Sequence, residues 1–291
     1  MQELIREYYT LEDGTKVPKI GFGCYNPRKQ DYVTIIKTAI DAGYRYFDTA
    51  SLYETERDLA RALKESGIDR KEVQIASKAW YDELGYEETK AAFNRTLERL
   101  ETDYLDFYML HWPKASENDP DWKEKDRGAW KVLTELKKAG KIRHIGTSNF
   151  LPHHLENLEK TTDCAVELDQ LELHIGYSQE LAREYCQKQG ILVQAWGPLG
   201  RGRMNDNRII QDMAAKYGKT FSQIAIRFLL QKGIMPIPKA STREHMVDNA
   251  NVFDFELSTE DMWMLSCMPQ ETWQGEHPDF AVPKKASNPL Q

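Results

Sequence analysis

The 291-residue sequence is poor in cysteine, and its four cysteines are scattered at Cys24, Cys164, Cys186 and Cys267. Because no two of them form a Cys-x-x-Cys pair, the spacing predicts neither a structural zinc site nor a disulfide framework. Unpaired thiols are typical of a reducing compartment. Residues 1–9 also lack the apolar run of a secretion signal. We therefore expect a cytoplasmic protein.

Long apolar stretches and an excess of positive charge are missing as well. No segment approaches the roughly 20 apolar residues of a membrane-spanning helix. The net charge is −7 and the isoelectric point is about 5.6, and an acidic surface is a poor match for a nucleic-acid backbone. We therefore expect neither a membrane nor a nucleic acid as partner, but a small molecule.

Short apolar runs alternate with amphipathic segments along most of the chain. Their length and their β-branched and aromatic content favour strands at Lys19–Phe22, Tyr44–Asp48, Val73–Ser77, Tyr104–Leu110, Ile142–Thr147, Val166–Leu171, Leu192–Ala195 and Met235–Ile237. Helical periodicity, usually closed by a glycine, marks Asp31–Ala42, Thr55–Ser66, Glu87–Leu100, Arg127–Ala139, Ser178–Gln189 and Thr220–Gln231. This alternation predicts a parallel sheet, because parallel neighbours need crossover connections.

Two α/β architectures have this alternation. Eight β/α units close into a TIM barrel, whereas an open doubly wound sheet normally carries a Gly-x-Gly-x-x-Gly turn after its first strand. The turn here, Gly21-Phe22-Gly23-Cys24-Tyr25, lacks the third glycine and leads into no immediate helix. The sequence therefore favours a parallel (β/α)8 barrel, with residues 1–291 as a single domain.

The two ends of the chain fall outside the repeat. The turn-forming run Glu12-Asp13-Gly14-Thr15 predicts a β-hairpin within residues 1–18 that covers the floor of the barrel. Residues 268–291 are rich in Pro, Gly and His and have little periodicity. They form either a disordered end or a C-terminal loop over the active face, and we favour the loop.

Polar residues stand where three neighbouring strands end, which is where reactive groups of such barrels lie. Asp48 ends the second strand, and Tyr53 follows it on the loop. Lys78 ends the third strand and His111 ends the fourth. Each residue alone has an ordinary structural interpretation, but their placement at three consecutive strand ends favours one shared site.

This group of side chains suits carbonyl reduction. A phenol is a weak acid, with a pKa of about 10, and we expect the Lys78 ammonium to lower that value for Tyr53. Asp48 supplies the counter-charge that a buried lysine needs, and His111 orients the carbonyl oxygen. Tyr53 then donates the proton, while the hydride must come from a cofactor, because no side chain is a hydride donor.

A metal-dependent hydrolase is a second interpretation. Its ligands would be His111, His174, Asp48 and Glu172, but no closely spaced pair such as His-x-His supports such a site. We therefore expect no metal.

Four motifs carry a resemblance to a known family: Asp48-Thr49-Ala50-Ser51-Leu52-Tyr53-Glu54, the run from Tyr104 to Pro113, the run from Gly140 to Phe150, and Ile237-Pro238-Lys239. In the order and spacing of these motifs the chain resembles the aldo-keto reductases, from about Thr10 to about Pro283. The resemblance implies the catalytic tetrad Asp48, Tyr53, Lys78 and His111, with Tyr53 as general acid.

The resemblance also implies a nicotinamide dinucleotide across the barrel mouth. It implies that Ser148, Asn149 and Gln170 bind the carboxamide of the nicotinamide, and that Trp196, where the family usually has a Tyr, stacks on the nicotinamide ring. The loop with Gly197, Leu199 and Gly200 would cover the pyrophosphate. The remaining implied cofactor contacts are Gly23, Cys24, Tyr25, Lys239, Ser241, Thr242, His245 and Asn249.

The choice between NADPH and NADH depends on the residues from Lys239 to His245. His245 stands where the family commonly has an Arg, and a neutral His lacks the bidentate fork that binds a 2′-phosphate. Lys239 matches the family's contact to that phosphate, and Ser241, Thr242 and Arg243 can compensate. We expect NADPH as the preferred cofactor, with NADH open as a second donor.

Aromatic residues would frame the substrate pocket: Tyr25, Trp80, Trp112 and, beside them, His111. Such a mouth suits aldehydes or ketones with apolar bodies. We interpret the charged segment 113–127 as a solvated flank of this pocket. By analogy with the family the protein is a monomer or a weak dimer, and the alternative function is a cofactor-binding regulatory protein without significant turnover.

Overall fold

The computed structural model of the protein describes residues 5, 7–25, 30–270 and 276–280. A two-stranded antiparallel hairpin precedes a sheet of eight parallel strands in sequential order. The hairpin strands are β1 (Tyr8–Thr10) and β2 (Lys16–Pro18). The eight strands of the sheet are β3 (Phe22–Gly23), β4 (Tyr46–Asp48), β5 (Gln74–Ala79), β6 (Leu105–Leu110), β7 (Ile142–Ser148), β8 (Leu168–Glu172), β9 (Leu192–Trp196) and β10 (Met235–Pro236).

The first and last strands of this sheet meet and close it. The Gly21 N–H donates to the Pro236 carbonyl at 3.1 Å, and the Gly23 N–H donates to the Pro238 carbonyl at 3.2 Å. With this seam the eight strands form a closed barrel, so neither edge of the sheet is left unpaired. The predicted (β/α)8 barrel is confirmed.

Helices follow the strands and cover the outside of the barrel: α1 (Tyr32–Asp41), α2 (Glu56–Ser66), α3 (Tyr86–Leu100), α4 (Trp122–Lys138), α5 (Pro152–Glu159), α6 (Glu180–Lys188), α7 (Arg208–Tyr217), α8 (Phe221–Gln231), α9 (Arg243–Ala250) and α10 (Thr259–Ser266). Local capping sets several of their ends. The Asp31 carboxylate accepts from the Thr34 N–H at the start of α1, and Thr220 forms a capping box with Gln223 at the start of α8.

Most of the charged segment 113–127, predicted to be a solvated flank, is exposed or half-buried, but its last six residues are helical. Helix α4 begins at Trp122, five residues before the predicted start, and Asp126 within its first turns is buried. The many charges of this segment obscure its helical periodicity. When the residues are placed on a helix, Asp126, Ala129 and Trp130 lie on its buried face.

The predicted hairpin covers the amino-terminal end of the barrel. Val17 is fully buried and packs in one cluster with Tyr46, Phe107 and Met235 from inside the barrel. The hairpin is also tied to barrel strands, because the Gln74 side-chain amide donates to the Lys16 carbonyl at 2.8 Å. This cluster closes the floor, which leaves the carboxyl ends of the strands as the open face.

The described part of the C-terminal tail, residues 276–280, lies against that open face. The Asp279 carboxylate contacts Lys114 Nζ at 2.9 Å, and it lies 3.3 Å from Nε2 of His153 and of His154. Of the predicted segment 268–291, residues 268–270 are also described, whereas 271–275 and 281–291 lie outside the described residues. In the part of the chain that the structure describes, no helix is both long and apolar enough to cross a membrane.

Candidate active site

A buried ion pair forms the base of the site. Asp48 ends β4, and Lys78 is the penultimate residue of the adjacent strand β5. Lys78 Nζ lies 2.7 Å from each Asp48 carboxylate oxygen and 3.0 Å from the Thr49 carbonyl oxygen, and the lysine side chain is fully buried. Burial lowers the pKa of Lys78, and the charge of Asp48 opposes that shift.

A chain of amides extends this base across the barrel. The Gln170 side-chain amide donates to Asp48 Oδ1 at 2.8 Å and to Gln194 Oε1 at 3.0 Å, and the Gln194 amide donates to the Tyr46 hydroxyl at 2.7 Å. All of these residues are buried. Because buried polar groups are costly unless they are hydrogen-bonded, this chain fixes the carboxylate of Asp48 in one orientation.

Tyr53 and His111 lie above the ion pair. Tyr53 ends a short 3₁₀ turn, Ser51–Tyr53, that follows β4. Its hydroxyl lies 3.4 Å from His111 Nε2, and Lys78 Nζ lies 5.0 Å from the centre of its ring. The four residues Asp48, Tyr53, Lys78 and His111, which three separate strands carry, therefore meet at one place on the rim.

The expected lowering of the Tyr53 pKa is not what the geometry produces. Burial raises the pKa of the Tyr53 phenol well above its ordinary value, and the negative charge of Asp48 adds to the rise. Asp48 contacts the Lys78 ammonium directly and so offsets its field at the phenol. The phenol is thus protonated at neutral pH, which is the form that a proton donor needs.

His111 is neutral in the same environment. Burial lowers the pKa of the imidazole well below its ordinary value, and the charge of Lys78 adds to this effect. Its Nδ1 has no hydrogen-bond partner among the described residues although the side chain is buried. A neutral imidazole can hydrogen-bond to a carbonyl oxygen without competing as a strong acid.

The predicted aromatic pocket residues surround the two reactive side chains. The Tyr25 ring lies 5.1 Å from the Tyr53 ring, and the Trp80 ring meets His111 edge to face at 4.8 Å, measured between ring centroids. Trp112 is 3% exposed and Trp80 equally so. These two indoles are therefore packed into the protein, whereas Tyr25 is half-buried.

The residues predicted to hold the carboxamide form a second cluster beside the first. Ser148 ends β7 and donates from Oγ to the Gln170 carbonyl at 2.9 Å. The Asn149 amide donates to the His111 carbonyl at 3.0 Å, and the Trp196 indole N–H donates to Asn149 Oδ1 at 2.8 Å. Asn149 adopts φ = 63°, a left-handed conformation that asparagine tolerates better than most residues.

The residues predicted near the 2′-phosphate lie farther out and are more exposed. Ser241, Thr242 and His245 are exposed at the start of α9, whereas Asn249 within that helix is buried. The Thr242 hydroxyl caps α9 by accepting from the His245 N–H at 3.3 Å. Lys239 Nζ lies 6.0 Å from the centre of the Tyr32 ring.

The remaining predicted cofactor residues differ in access. Gly197 and Gly200 have φ of 60° and 55°, and the Gly200 N–H donates to the Gly197 carbonyl at 2.8 Å, which folds this loop tightly. Leu199 is half-buried against the core. Gly23 and Cys24 are buried beneath the rim, so the side chain of Cys24 does not reach the open face.

Two further residues of the site, Gln194 and Glu83, are marked by no motif. Gln194 is the one strongly polar residue of strand β9 and pairs in register with Gln170 of β8. Polar side chains at the same level of adjacent buried strands are a signal that could have indicated it. Glu83 accepts hydrogen bonds from Ser51 and Trp80, and only the folded turn brings these residues together.

The rim of the barrel thus brings together a buried phenol, a neutral imidazole and a buried ion pair. Comparison with known proteins agrees. The Aldo/keto reductase family model matches residues 19–266. Among the relatives, the glyoxal reductase of Bacillus subtilis is 39% identical over 280 residues, covering 96% of this chain and 99% of that protein. The methylglyoxal reductase of Escherichia coli strain K12 is 34% identical over 271 residues, covering 92% and 96%.

Solved structures agree as well. The aldo-keto reductase of Bombyx mori in complex with NADP superposes with a TM-score of 0.83 at 26% identity, covering 94% of this chain and 98% of that one. The chain belongs to the aldo-keto reductase family. It is an NAD(P)H-dependent oxidoreductase that reduces carbonyl groups.

Proposed function

We propose that the protein reduces small aldehydes and ketones with NADPH, and that Tyr53 is the general acid. The observation that carries this proposal is the position of the Tyr53 hydroxyl, 3.4 Å from His111 Nε2, with the Lys78 ammonium 5.0 Å from the centre of its ring. A carbonyl oxygen hydrogen-bonded to both Tyr53 and His111 would lie within reach of the proton.

The bound cofactor would supply the hydride for the carbonyl carbon. Tyr53 transfers its proton to the carbonyl oxygen, so that hydride and proton together convert the carbonyl to an alcohol. The phenolate that remains would lie near Lys78, whose Nζ is 5.0 Å from the centre of the Tyr53 ring, and the ammonium would stabilise this charge in part, because Asp48 offsets the rest of its field. Asp48 holds Lys78 in place, and neutral His111 orients the substrate.

The residues present fit a nicotinamide dinucleotide. Ser148, Asn149 and Gln170 are amide and hydroxyl groups that can bind a carboxamide, and the partly exposed Trp196 ring offers a stacking face. The N-terminus of α9, with Lys239 and Arg243 near it, suits a phosphate, because helix N-termini favour anions. These features support NADPH as the preferred cofactor, with NADH as a weaker alternative.

Short dicarbonyls are the substrates that we propose. Glyoxal and methylglyoxal give two relatives their names, and each presents a reactive aldehyde that needs little space. The aromatic wall of Tyr25, Trp80 and Trp112 would exclude bulk water from the reacting carbon.

The test is the oxidation of NADPH, followed by absorbance, with glyoxal, methylglyoxal and a set of larger carbonyls. We expect turnover with both dicarbonyls, and a higher kcat/KM with NADPH than with NADH. NADPH binding without turnover across the whole set would contradict the proposal and favour a regulatory protein.

We further propose that residues 1–291 form one domain that works in the cytoplasm as a monomer or a weak dimer. Sedimentation velocity at micromolar concentration should show mainly a species with the mass of a single chain, 33.8 kDa, with any dimer dissociating on dilution. A stable tetramer would contradict this.

A further inference from the structure

The Glu83 carboxylate joins both sides of the candidate active site. Its Oε2 accepts from the Ser51 hydroxyl at 2.6 Å and from the Trp80 N–H at 3.0 Å. Its Oε1 accepts from Arg95 Nη2 of helix α3 at 3.0 Å. Ser51 belongs to the turn that carries Tyr53, and Trp80 packs on His111. The Glu83 carboxylate is therefore hydrogen-bonded to a neighbour of each of these two residues, Tyr53 and His111.

The Tyr53 turn lies beside open space. A cavity of about 360 Å³ lies beside it, lined in part by Ser51, Leu52, Glu54 and Glu83. The residue after the turn, Glu54, is in the left-handed region with φ = 58°, which is unfavourable for a residue other than glycine. A strained turn beside a cavity depends on specific hydrogen bonds to stay in one conformation.

Glu83 is suited to provide such bonds. Its side chain is 14% exposed. Burial raises the pKa of Glu83, but the hydrogen bonds from Ser51, Trp80 and Arg95 outweigh burial, so the net shift is downward. The carboxylate is therefore charged at neutral pH, and hydrogen bonds to a charged acceptor are shorter and stronger than neutral ones.

We infer that Glu83 is a positioning residue for carbonyl reduction, which holds the Tyr53 hydroxyl and His111 Nε2 3.4 Å apart, so that one carbonyl oxygen can hydrogen-bond to both. This inference rests on the proposed function, because it assumes that Tyr53 is the general acid. Glu83 touches neither substrate nor cofactor in this role. It acts through Ser51 on Tyr53 and through Trp80 on His111.

The effect of losing Glu83 on kcat should depend on the electronic character of the carbonyl substrate. If Glu83 sets the position of the acid, its loss should matter most for carbonyls that depend most on the acid. Electron-donating substituents make an aldehyde less electrophilic and increase that dependence, whereas electron-withdrawing substituents reduce it. A purely structural role would lower all rates by the same factor.

The test compares wild type, Glu83→Ala, Glu83→Gln and Ser51→Ala on a series of para-substituted benzaldehydes with NADPH. We expect Glu83→Ala to lower kcat for the electron-rich members by about 10²-fold, the loss that a small misplacement of a reacting group causes, and for the electron-poor members by much less. The solvent deuterium isotope effect on kcat should rise, and the NADPH dissociation constant should stay within about twofold.

The other variants keep the test decisive if Glu83→Ala folds poorly. Glu83→Gln retains an oxygen acceptor for Ser51 and Trp80, so it should restore part of the loss. Ser51→Ala leaves the Glu83 contacts to Trp80 and Arg95 intact and should show the same substituent dependence with a smaller amplitude. Glu135→Gln is the matched control, because Glu135 bonds the Tyr86 hydroxyl outside the site.

Two results would overturn the inference alone: an unchanged kcat in Glu83→Ala and Ser51→Ala, or a loss that is uniform across the series. A wild-type enzyme that oxidises no NADPH with any carbonyl would instead overturn the proposed function, and the inference with it.

Discussion

The rim around Lys78 and the segment from Lys239 to His245 serve the same barrel but are built differently. At the rim, Asp48, Lys78 and Gln170 are buried and bonded to one another at 2.7–2.8 Å. In the outer segment, residues 241–245 are exposed. The two regions therefore differ in how many partners fix each side chain.

The buried network at the rim should tolerate fewer substitutions than the exposed segment. A substitution in the buried network leaves a polar group without a partner, which costs both stability and the orientation of the reacting groups. In the exposed segment Thr242 caps α9, but a substitution of the exposed His245 side chain should change mainly what the surface offers to a ligand. We therefore expect the rim to tolerate little change and the outer segment to tolerate more, which fits the roles that we propose for them in proton transfer and in the choice of cofactor.

The largest effect should come from Tyr53→Phe. Loss of the phenolic proton donor should reduce kcat by about 10²–10⁴-fold, while the NADPH dissociation constant should change little because the hydroxyl is not one of the proposed cofactor contacts. Steady-state kinetics and a fluorescence titration measure the two quantities. Tyr86→Phe is the control, and comparable losses in the two variants would remove Tyr53 from its role.

Lys78→Met should have the next largest effect, because it leaves the buried Asp48 without its counter-charge. Breaking a buried pair in this way costs about 3–5 kcal/mol of unfolding free energy, measured by urea denaturation. Lys37→Met is the matched control, since Lys37 pairs with Glu65 at 3.0 Å on the surface, and exposed pairs contribute about 0–1 kcal/mol. Equal losses would mean that the rim is no more constrained than the surface.

Asp169→Asn tests how a buried carboxyl of strand β8 affects the pH dependence of stability. Burial raises the pKa of Asp169 to about 7, although the Thr147 hydroxyl bonds the carboxylate. The folded protein therefore holds this proton more tightly than the unfolded chain, whose aspartates have a pKa of about 4. The resulting stability is complete below about pH 4 and is lost as the pH rises through 7.

The variant should remove that loss. Between pH 5 and pH 8, the unfolding free energy of wild type should fall relative to that of Asp169→Asn. Parallel curves for the two proteins over this range would show that the carboxyl is not proton-linked to folding.

The smallest effect should come from His245→Arg in the exposed segment. Arginine adds a charged bidentate donor for a phosphate, so the ratio of kcat/KM for NADPH to that for NADH should rise about tenfold, which corresponds to about 1.4 kcal/mol. Unfolding free energy should not change. An unaltered ratio would show that cofactor choice is not made at this segment.

Much of the barrel was predictable, because its signals are local. The capping residues Asp31 and Thr220 and the glycine after α2, Gly67, stand next to the helix ends that they define. Helices α5, α7, α9 and α10 were not predicted. Helix α9 shows why, since only Met246, Asn249 and Ala250 of its eight residues are buried, which leaves a weak apolar pattern.

The grouping of four polar side chains at the rim was predictable, but their electrostatics were not. Position at a strand end indicates Asp48, Tyr53, Lys78 and His111. The direction of the Tyr53 pKa depends instead on burial and on the direct contact of Asp48 with Lys78, and neither can be read from spacing. Glu83 and Ser51 are 32 residues apart in the sequence, so no local pattern predicts their contact.

The most direct test of the central claim, that Tyr53 is a protonated phenol ready to donate, is its titration. Protein labelled with ¹³C at the ζ carbon of tyrosine, with the Tyr53 resonance assigned by its absence in Tyr53→Phe, would be followed by NMR as the pH rises. We expect the Tyr53 signal to remain that of a neutral phenol to at least about pH 10, the pKa of free tyrosine. A phenolate signal appearing between pH 7 and 8 would contradict the account.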